Sequence, residues 1–245
     1  RRRDTALIMT SGTLYLIPVS LGPASTGLTT PTEVGARARS LDYFVVENAR
    51  TARAELQRFE HPRPMRGLDI RELPEKPGPA ELDTLLAPLL AGRDAGLMSE
   101  AGCPAVADPG ALLVRRAHEA GIRVVPMVGP SSLLLALMAS GLNGQSFAFH
   151  GYLPVDEEAR KKRIKELEAE SARLSRTQLF IETPYRNDRM FEALRSTCGP
   201  ETRLCIARDL TVESEWIVTR RIAEWTKAAA PDLAKRPTVF LLLAS

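Results

Sequence analysis

Four carboxylates stand where short apolar runs give out: Glu47 after "DYFVV", Glu100 after "AGLMS", Glu182 after "TQLFI" and Asp209 after "LCIAR". If those runs are strands of an α/β sheet, the four side chains lie just beyond strand ends, where such sheets bind ligands. A carboxylate placed there can orient or accept the proton of a reacting hydroxyl. Glu100 and Glu182 are expected in that role, with Glu47, Arg50, Tyr185, Arg186 and Asp209 as substrate-binding neighbours. Simple arginine–carboxylate pairing explains each of them equally well when taken singly.

Two turns hold the chain's other candidate chemistry. "SEAGCPAVADPG" (99–110) is made of small residues and prolines and contains no lysine, and "VGPSS" (128–132) opens the next apolar helix. Neither has the glycine-rich pattern with lysine that cradles phosphates, so a nucleotide polyphosphate does not suit them. Ser131 and Ser132 are placed to satisfy free N–H groups at a helix start, and Asp108 is placed to cap the helix beginning at Pro109, with catalysis its second reading. His61, His118 and His150 are scattered, and Cys103, Cys198 and Cys205 are unevenly spaced. Free thiols, no disulfide framework and no metal are expected.

The elements that must position these residues are legible from apolar patterning. "TLYLIPV" (13–19), "DYFVVE" (42–47), "AGLMS" (95–99) and "IRVVPMV" (122–128) are nearly continuous apolar runs, the pattern of parallel strands buried on both faces. Helical stretches over 31–41, 49–59, 79–92 and 109–121 alternate with them, so the first half reads as an α/β layer fold. After residue 130 the pattern changes. "FAFHGYLP" (147–154) alternates, 177–184, 203–209 and 238–244 are further strands, and 156–174 is a charged helix whose acids and bases balance. The expected organisation is a flexible N-terminus over 1–11, an N-terminal α/β lobe over 12–129 and a C-terminal α/β lobe over 130–245, with the ligand cleft between the lobes.

Composition sets the outer limits. The 245 residues are 44% hydrophobic and 26% charged, with a net charge of +3, which fits a globular chain able to bury a sizeable core. The basic residues are interleaved with acids, so the charge permits a nucleic-acid partner without requiring one. No apolar stretch is long enough to span a bilayer and no apolar segment follows Arg1–Arg3, so a cytoplasmic location with no membrane association is expected.

The two turns, together with "FAFHGYLP", "IETPYR" (181–186), "IARDLT" (206–211) and "RPTVFLL" (236–242), resemble the tetrapyrrole-methylase superfamily of S-adenosyl-L-methionine (SAM) methyltransferases, in the branch of the ribosomal RNA small-subunit 2′-O-methyltransferases. The resemblance runs collinearly over about residues 12–243. It implies SAM as cofactor, held by Glu100, Ala101, Gly102, Cys103, Pro104 and Ala107 from the first turn and by Ser131 and Ser132 from the second. Ile181, Glu182, Ala207, Pro237 and Thr238 complete that set. It also implies a homodimer and an RNA hydroxyl as methyl acceptor, with a small tetrapyrrole-like acceptor or a SAM-binding protein without turnover as alternatives. Where the rRNA enzymes carry Gly-Asn-Leu near the first turn and Lys in Glu-Leu-Thr-Lys, this chain has "SLGP" and Val212, so it resembles a sister branch in its substrate residues.

Overall fold

The computed structural model describes residues 11–23 and 26–245; residues 1–10, which hold the Arg1–Arg3 run and nearly all of the N-terminal segment expected to be flexible, lie outside the described residues. The chain divides into two compact units, Arg1–Pro130 and Ser131–Ser245. The division falls one residue after the boundary expected from the sequence.

The first unit runs β1 (Thr13–Leu16), α1 (Thr26–Thr29), α2 (Thr32–Ser40), β2 (Tyr43–Val46), α3 (Ala49–Arg58), a 3-10 turn (Met65–Gly67), β3 (Asp69–Glu72), α4 (Pro79–Leu90), β4 (Ala95–Met98), α5 (Ala111–Glu119) and β5 (Arg123–Pro126). Its strands form one parallel sheet in the order β3-β2-β4-β1-β5. Alternate strand residues point to opposite faces. Ile17, Phe44 and Val46 pack under α2 and α3, while Leu14, Tyr43, Val45 and Leu97 pack under α4 and α5. The connections leaving β1 and β2 therefore turn to one face, and the connections leaving β3 and β4 turn to the other. Strand β4 lies between β1 and β2, so the loop at its carboxyl end sits where connections diverge on both sides, the usual ligand crevice of such a sheet.

Strand β3 was not expected. Its sequence "DIRE" is charged because it is an edge strand, and Arg93 ties it to β2 by pairing with Asp42 (2.9 Å) and Asp69 (3.0 Å). Asp108 does not cap α5: the N-cap is Gly110, with φ +129°, and no side chain caps it. The helix starts two residues later than the Asp-Pro-Gly signature suggests, and the aspartate is released for another role.

The second unit runs α6 (Ser132–Ser140), β6 (Phe147–Tyr152), α7 (Glu157–Leu174), β7 (Thr177–Ile181), α8 (Asn187–Thr197), β8 (Arg203–Arg208), β9 (Trp216–Arg221), α9 (Ile222–Lys227) and β10 (Thr238–Leu243). Its sheet has the order β6-β7-β10-β8-β9, with β6 and β7 parallel and the remaining pairs antiparallel. Strand β10 is central and almost wholly buried, with Phe240 stacked on Phe180 at 5.9 Å between ring centres. Its apolar residues are thus packed into the core of this unit. Helix α6 packs on β8, β9 and β10 and leaves Leu134 and Met138 exposed. Among the described residues, no helix is long and apolar enough to cross a membrane, and no group of histidine, cysteine and acidic side chains is arranged to hold a metal ion.

Candidate functional site

In a parallel sheet all carboxyl ends share one edge, so the loops after β1, β2, β4 and β5 are brought together by topology alone. The loop after β4 is joined to the end of β1 by a two-way backbone bridge: Val19 N donates to Gly102 O and Gly102 N to Val19 O, both at 2.9 Å. Gly102 takes φ +74°, Ala105 φ +65° and Ala107 φ +62°. Left-handed alanines each cost on the order of 1–3 kcal/mol, strain that persists where the surroundings fix a special backbone shape. Ala101 and Ala107 are exposed, Gly102 and Pro104 are buried, and Cys103 Sγ lies 3.4 Å from Pro130 O. Burial and the Asp108 carboxylate push the Cys103 thiol up, so it packs as a small apolar group and is no nucleophile.

The turn after β5 is packed still more tightly. A Cβ added at Gly129 would lie 2.2 Å from Pro18 Cβ and 2.5 Å from its Cγ, so only glycine allows the turn to rest on the end of β1. Ser131 is the N-cap of α6, yet its hydroxyl makes no capping hydrogen bond, which removes the capping explanation for it.

The loop after β1 is held by a group that sequence reasoning missed. Glu55 of α3 accepts from Ser20 N (3.1 Å) and Ser20 Oγ (2.7 Å) while pairing with Arg58 at 3.3 Å, and Arg58 donates to Gly22 O. The signal was present: Glu55 falls on the buried stripe of α3 with Ala52 and Leu56, where a carboxylate must have partners. Glu55→Ala leaves the Ser20 donors unsatisfied and is expected to cost roughly 1–3 kcal/mol, read as a lower urea midpoint at unchanged slope.

Acidic groups gather at the ends of β2 and β4. Glu47 accepts from Glu100 N at 2.8 Å, and Glu100 is exposed. Asp108 lines a cavity of about 130 Å³ with Leu73, Pro74, Glu75 and Pro77. Its pKa is pushed up to about 6, first by burial and then by the Glu47 charge, with a smaller push from Glu100; Ser99 hydrogen bonding opposes them. Asp108 therefore titrates near neutral pH, as a proton acceptor should. Arg50 and Arg53 project from the first turns of α3, both exposed and without an ion pair among the described residues, after an N-cap in which Asn48 accepts from Arg50 N and Thr51 N.

In the second unit, β7 and β8 both run antiparallel to β10, so their carboxyl ends and the amino end of β10 share an edge. Ile181 and Ala207 both lie opposite Val239, and Thr238 lies opposite Arg208. Glu182 and Asp209 are buried and each has an arginine: Glu182 binds Arg186 at 2.6 Å, and Asp209 binds Arg236 at 2.6 Å and Ser214 at 3.0 Å. Asn187 ties the edge together by donating to Arg236 O at 2.7 Å and to Thr238 Oγ1 at 3.2 Å. Tyr185 is 80% exposed beside them, and Pro237 is exposed. His150 is engaged by Gln178 at 2.6 Å.

Comparison with known proteins bears on this geometry. The family model described as Tetrapyrrole (Corrin/Porphyrin) Methylases matches residues 15–226. A protein of Vibrio cholerae named ribosomal RNA small subunit methyltransferase I is 33% identical over 231 residues, covering 94% of this chain and 76% of its own length. One of the same name from Mesorhizobium japonicum is 36% identical, covering 88% and 70%. Among solved structures, the methyltransferase CobJ superposes with a TM-score of 0.61 at 23% identity, covering 96% of this chain and 95% of that one. The uroporphyrin-III-C-methyltransferase of Thermus thermophilus gives 0.54 at 18%, covering 95% and 92%. These two carry the fold alone. The match to the family model across most of the chain, with relatives above 30% identity, places the chain in the tetrapyrrole (corrin/porphyrin) methylase family, and it is a methyltransferase.

Proposed function

We propose that this protein is a cytoplasmic SAM-dependent methyltransferase whose acceptor is an RNA hydroxyl. The observation that carries the reading is the strained, lysine-free loop 99–110, bridged to the end of β1 at the crevice where the sheet's connections diverge. SAM suits that loop because it carries no phosphate. Its amino-acid end and ribose need backbone groups and small side chains, which Glu100, Ala101, Gly102, Cys103, Pro104 and Ala107 offer. Ser131, Ser132, Ile181, Glu182, Ala207, Pro237 and Thr238 complete the proposed cofactor set. RNA as acceptor is supported by the names of the relatives and by Arg50 and Arg53, which are exposed, have no ion pair among the described residues and can meet phosphates.

When bound, SAM supplies a methyl group already activated on a sulfonium. The protein's task is alignment, which can lower such a barrier by up to roughly 7–11 kcal/mol, and removal of the acceptor's proton. Of the strand-end carboxylates, Glu182 and Asp209 are held by arginines and build the edge they stand on. We assign the proton-accepting role to Asp108, whose pKa is raised first by burial and further by the Glu47 and Glu100 charges. The Asp108 carboxylate would take the proton of the acceptor hydroxyl as that oxygen is methylated.

The test is incubation with methyl-labelled SAM and total RNA, with and without nuclease. Label in nuclease-sensitive material supports the reading. Label in a nuclease-resistant small molecule would transfer the function to a tetrapyrrole-like acceptor, and no label at all, despite SAM binding, would make it a binding protein. Binding itself is expected without added metal: at 100 times the dissociation constant, SAM or S-adenosylhomocysteine should stabilise the fold by roughly 2.7 kcal/mol. Arg50→Ala is expected to weaken RNA binding and leave that stabilisation intact. The protein is further proposed to be a homodimer, supported by exposed Leu134 and Met138 of α6; light scattering at 26.9 kDa would count against it.

A further inference from the structure

Both tryptophans of the chain line one groove of about 480 Å³ in the second unit, together with Arg208, Arg220 and residues 228–232. Register places Arg208 opposite Trp216 and Leu204 opposite Arg220 across β8 and β9, so these side chains share the sheet face that carries α9. The Arg208 guanidinium lies 5.3 Å from the Trp216 ring centre, the Arg220 guanidinium lies 5.0 Å from that of Trp225, and the two indoles are 6.2 Å apart. Trp225 is the buried floor, its Nε1 donating to Leu204 O at 3.0 Å. Trp216 is half-buried and Arg220 is exposed. The groove's acid, Asp232, is shared between Arg208 and Arg236, and Arg220 has no ion pair among the described residues. The lining is therefore net positive, with each of the two guanidinium groups over an indole ring.

From this geometry we infer that the groove is an accessory RNA subsite that takes an unpaired stretch of the acceptor strand, stacking a base against the Arg220–Trp216 surface and meeting a phosphate with Arg220. Unpaired bases stack on aromatic rings and guanidinium planes alike, and an arginine already held over an indole loses little freedom on binding. A small apolar ligand would leave the Arg220 charge uncompensated. The inference rests on the reading of the acceptor as RNA. Ala207 of the proposed cofactor set points to the opposite sheet face from Arg208, and the groove shares no residue with that set. It should act on RNA affinity without acting on methyl transfer.

The test uses the full chain and a mixed-sequence single-stranded RNA 12-mer. Since the groove contains every tryptophan, the RNA is expected to quench or shift intrinsic fluorescence, and SAM alone is not. Arg220→Gln should weaken RNA binding about tenfold, lower the slope of log affinity against log salt by about one and raise the KM for RNA, with kcat at saturating RNA and SAM affinity unchanged. Arg221→Gln, one residue along on the other face and paired with Glu201, is the control. Equal losses in the two variants, or unchanged RNA affinity in Arg220→Gln, would overturn the subsite while leaving RNA methylation standing. A wild-type protein that neither binds nor methylates RNA would overturn both.

Discussion

Asp108→Asn is expected to stabilise the protein at pH 7.5 and, in the same molecule, to lower turnover by about 100-fold or more. Both signs follow from one displaced pKa. In the unfolded chain an aspartate titrates near 4, whereas here it titrates at about 6. Below both values the group is neutral in either state and has no effect. Between them the native state holds the extra proton, so stability falls as pH rises through that window, and above pH 6 the full penalty of ionising Asp108 is present. Allowing for its partial exposure, that penalty is about 2 kcal/mol at most. Asparagine fills the same space without the charge and should remove it, so the variant's melting temperature should hardly change between pH 4.5 and 7.5 on this group's account. Turnover should move the other way, because asparagine cannot accept the acceptor's proton. In the wild type, kcat should rise with pH through about 6; the variant should lose that limb, with SAM affinity little changed. A variant as active as wild type would remove Asp108 from the chemistry and return the role to Glu100.

The second large effect is expected at Gly129→Ala, a change of one methyl group. That methyl would sit 2.2 Å from Pro18 Cβ, and a proline ring cannot rotate away. The 128–130 turn must lift off the end of β1, at roughly 1–3 kcal/mol for overpacking. Affinity for SAM should fall at least about tenfold because the turn precedes Ser131. Pro18→Gly removes the obstructing ring, so the pair of changes should recover most of the binding that Gly129→Ala loses, measured against Pro18→Gly alone. Calorimetry showing additive losses would mean that the contact does not set the turn's position.

The parallel strands were legible because burial on both faces leaves unbroken apolar runs: Tyr43 to Val46 are buried throughout, as are Ala95 to Met98. Strand β3 was hidden because an edge strand can hold its place with ion pairs, as Asp69 does through Arg93. The strand-end carboxylates were found where expected, but sequence could not divide them. Glu182 and Arg186 stand four apart in either reading, and only the 2.6 Å contact shows the arginine engaged. Asp108 was misplaced because Asp-Pro-Gly fits a helix start, and the actual start depends on Gly110 adopting φ +129°, a choice available to any glycine and announced by none.

Strand β10 follows β7, β8 and β9 along the chain but lies between β7 and β8 in space. Until it is inserted, two neighbours that are fully paired in the finished sheet expose hydrogen-bonding edges and the apolar faces around Phe180 and Ile206. The first unit needs no strand from beyond Pro130 and can complete its sheet while the rest of the chain is still emerging. During synthesis the second unit must instead wait for Thr238–Leu243, a pairing distant in sequence and correspondingly slow. Its unfinished sheet is the species most exposed to aggregation, so a ribosome stalled just before residue 238 would release a chain with one sound half and one adhesive half.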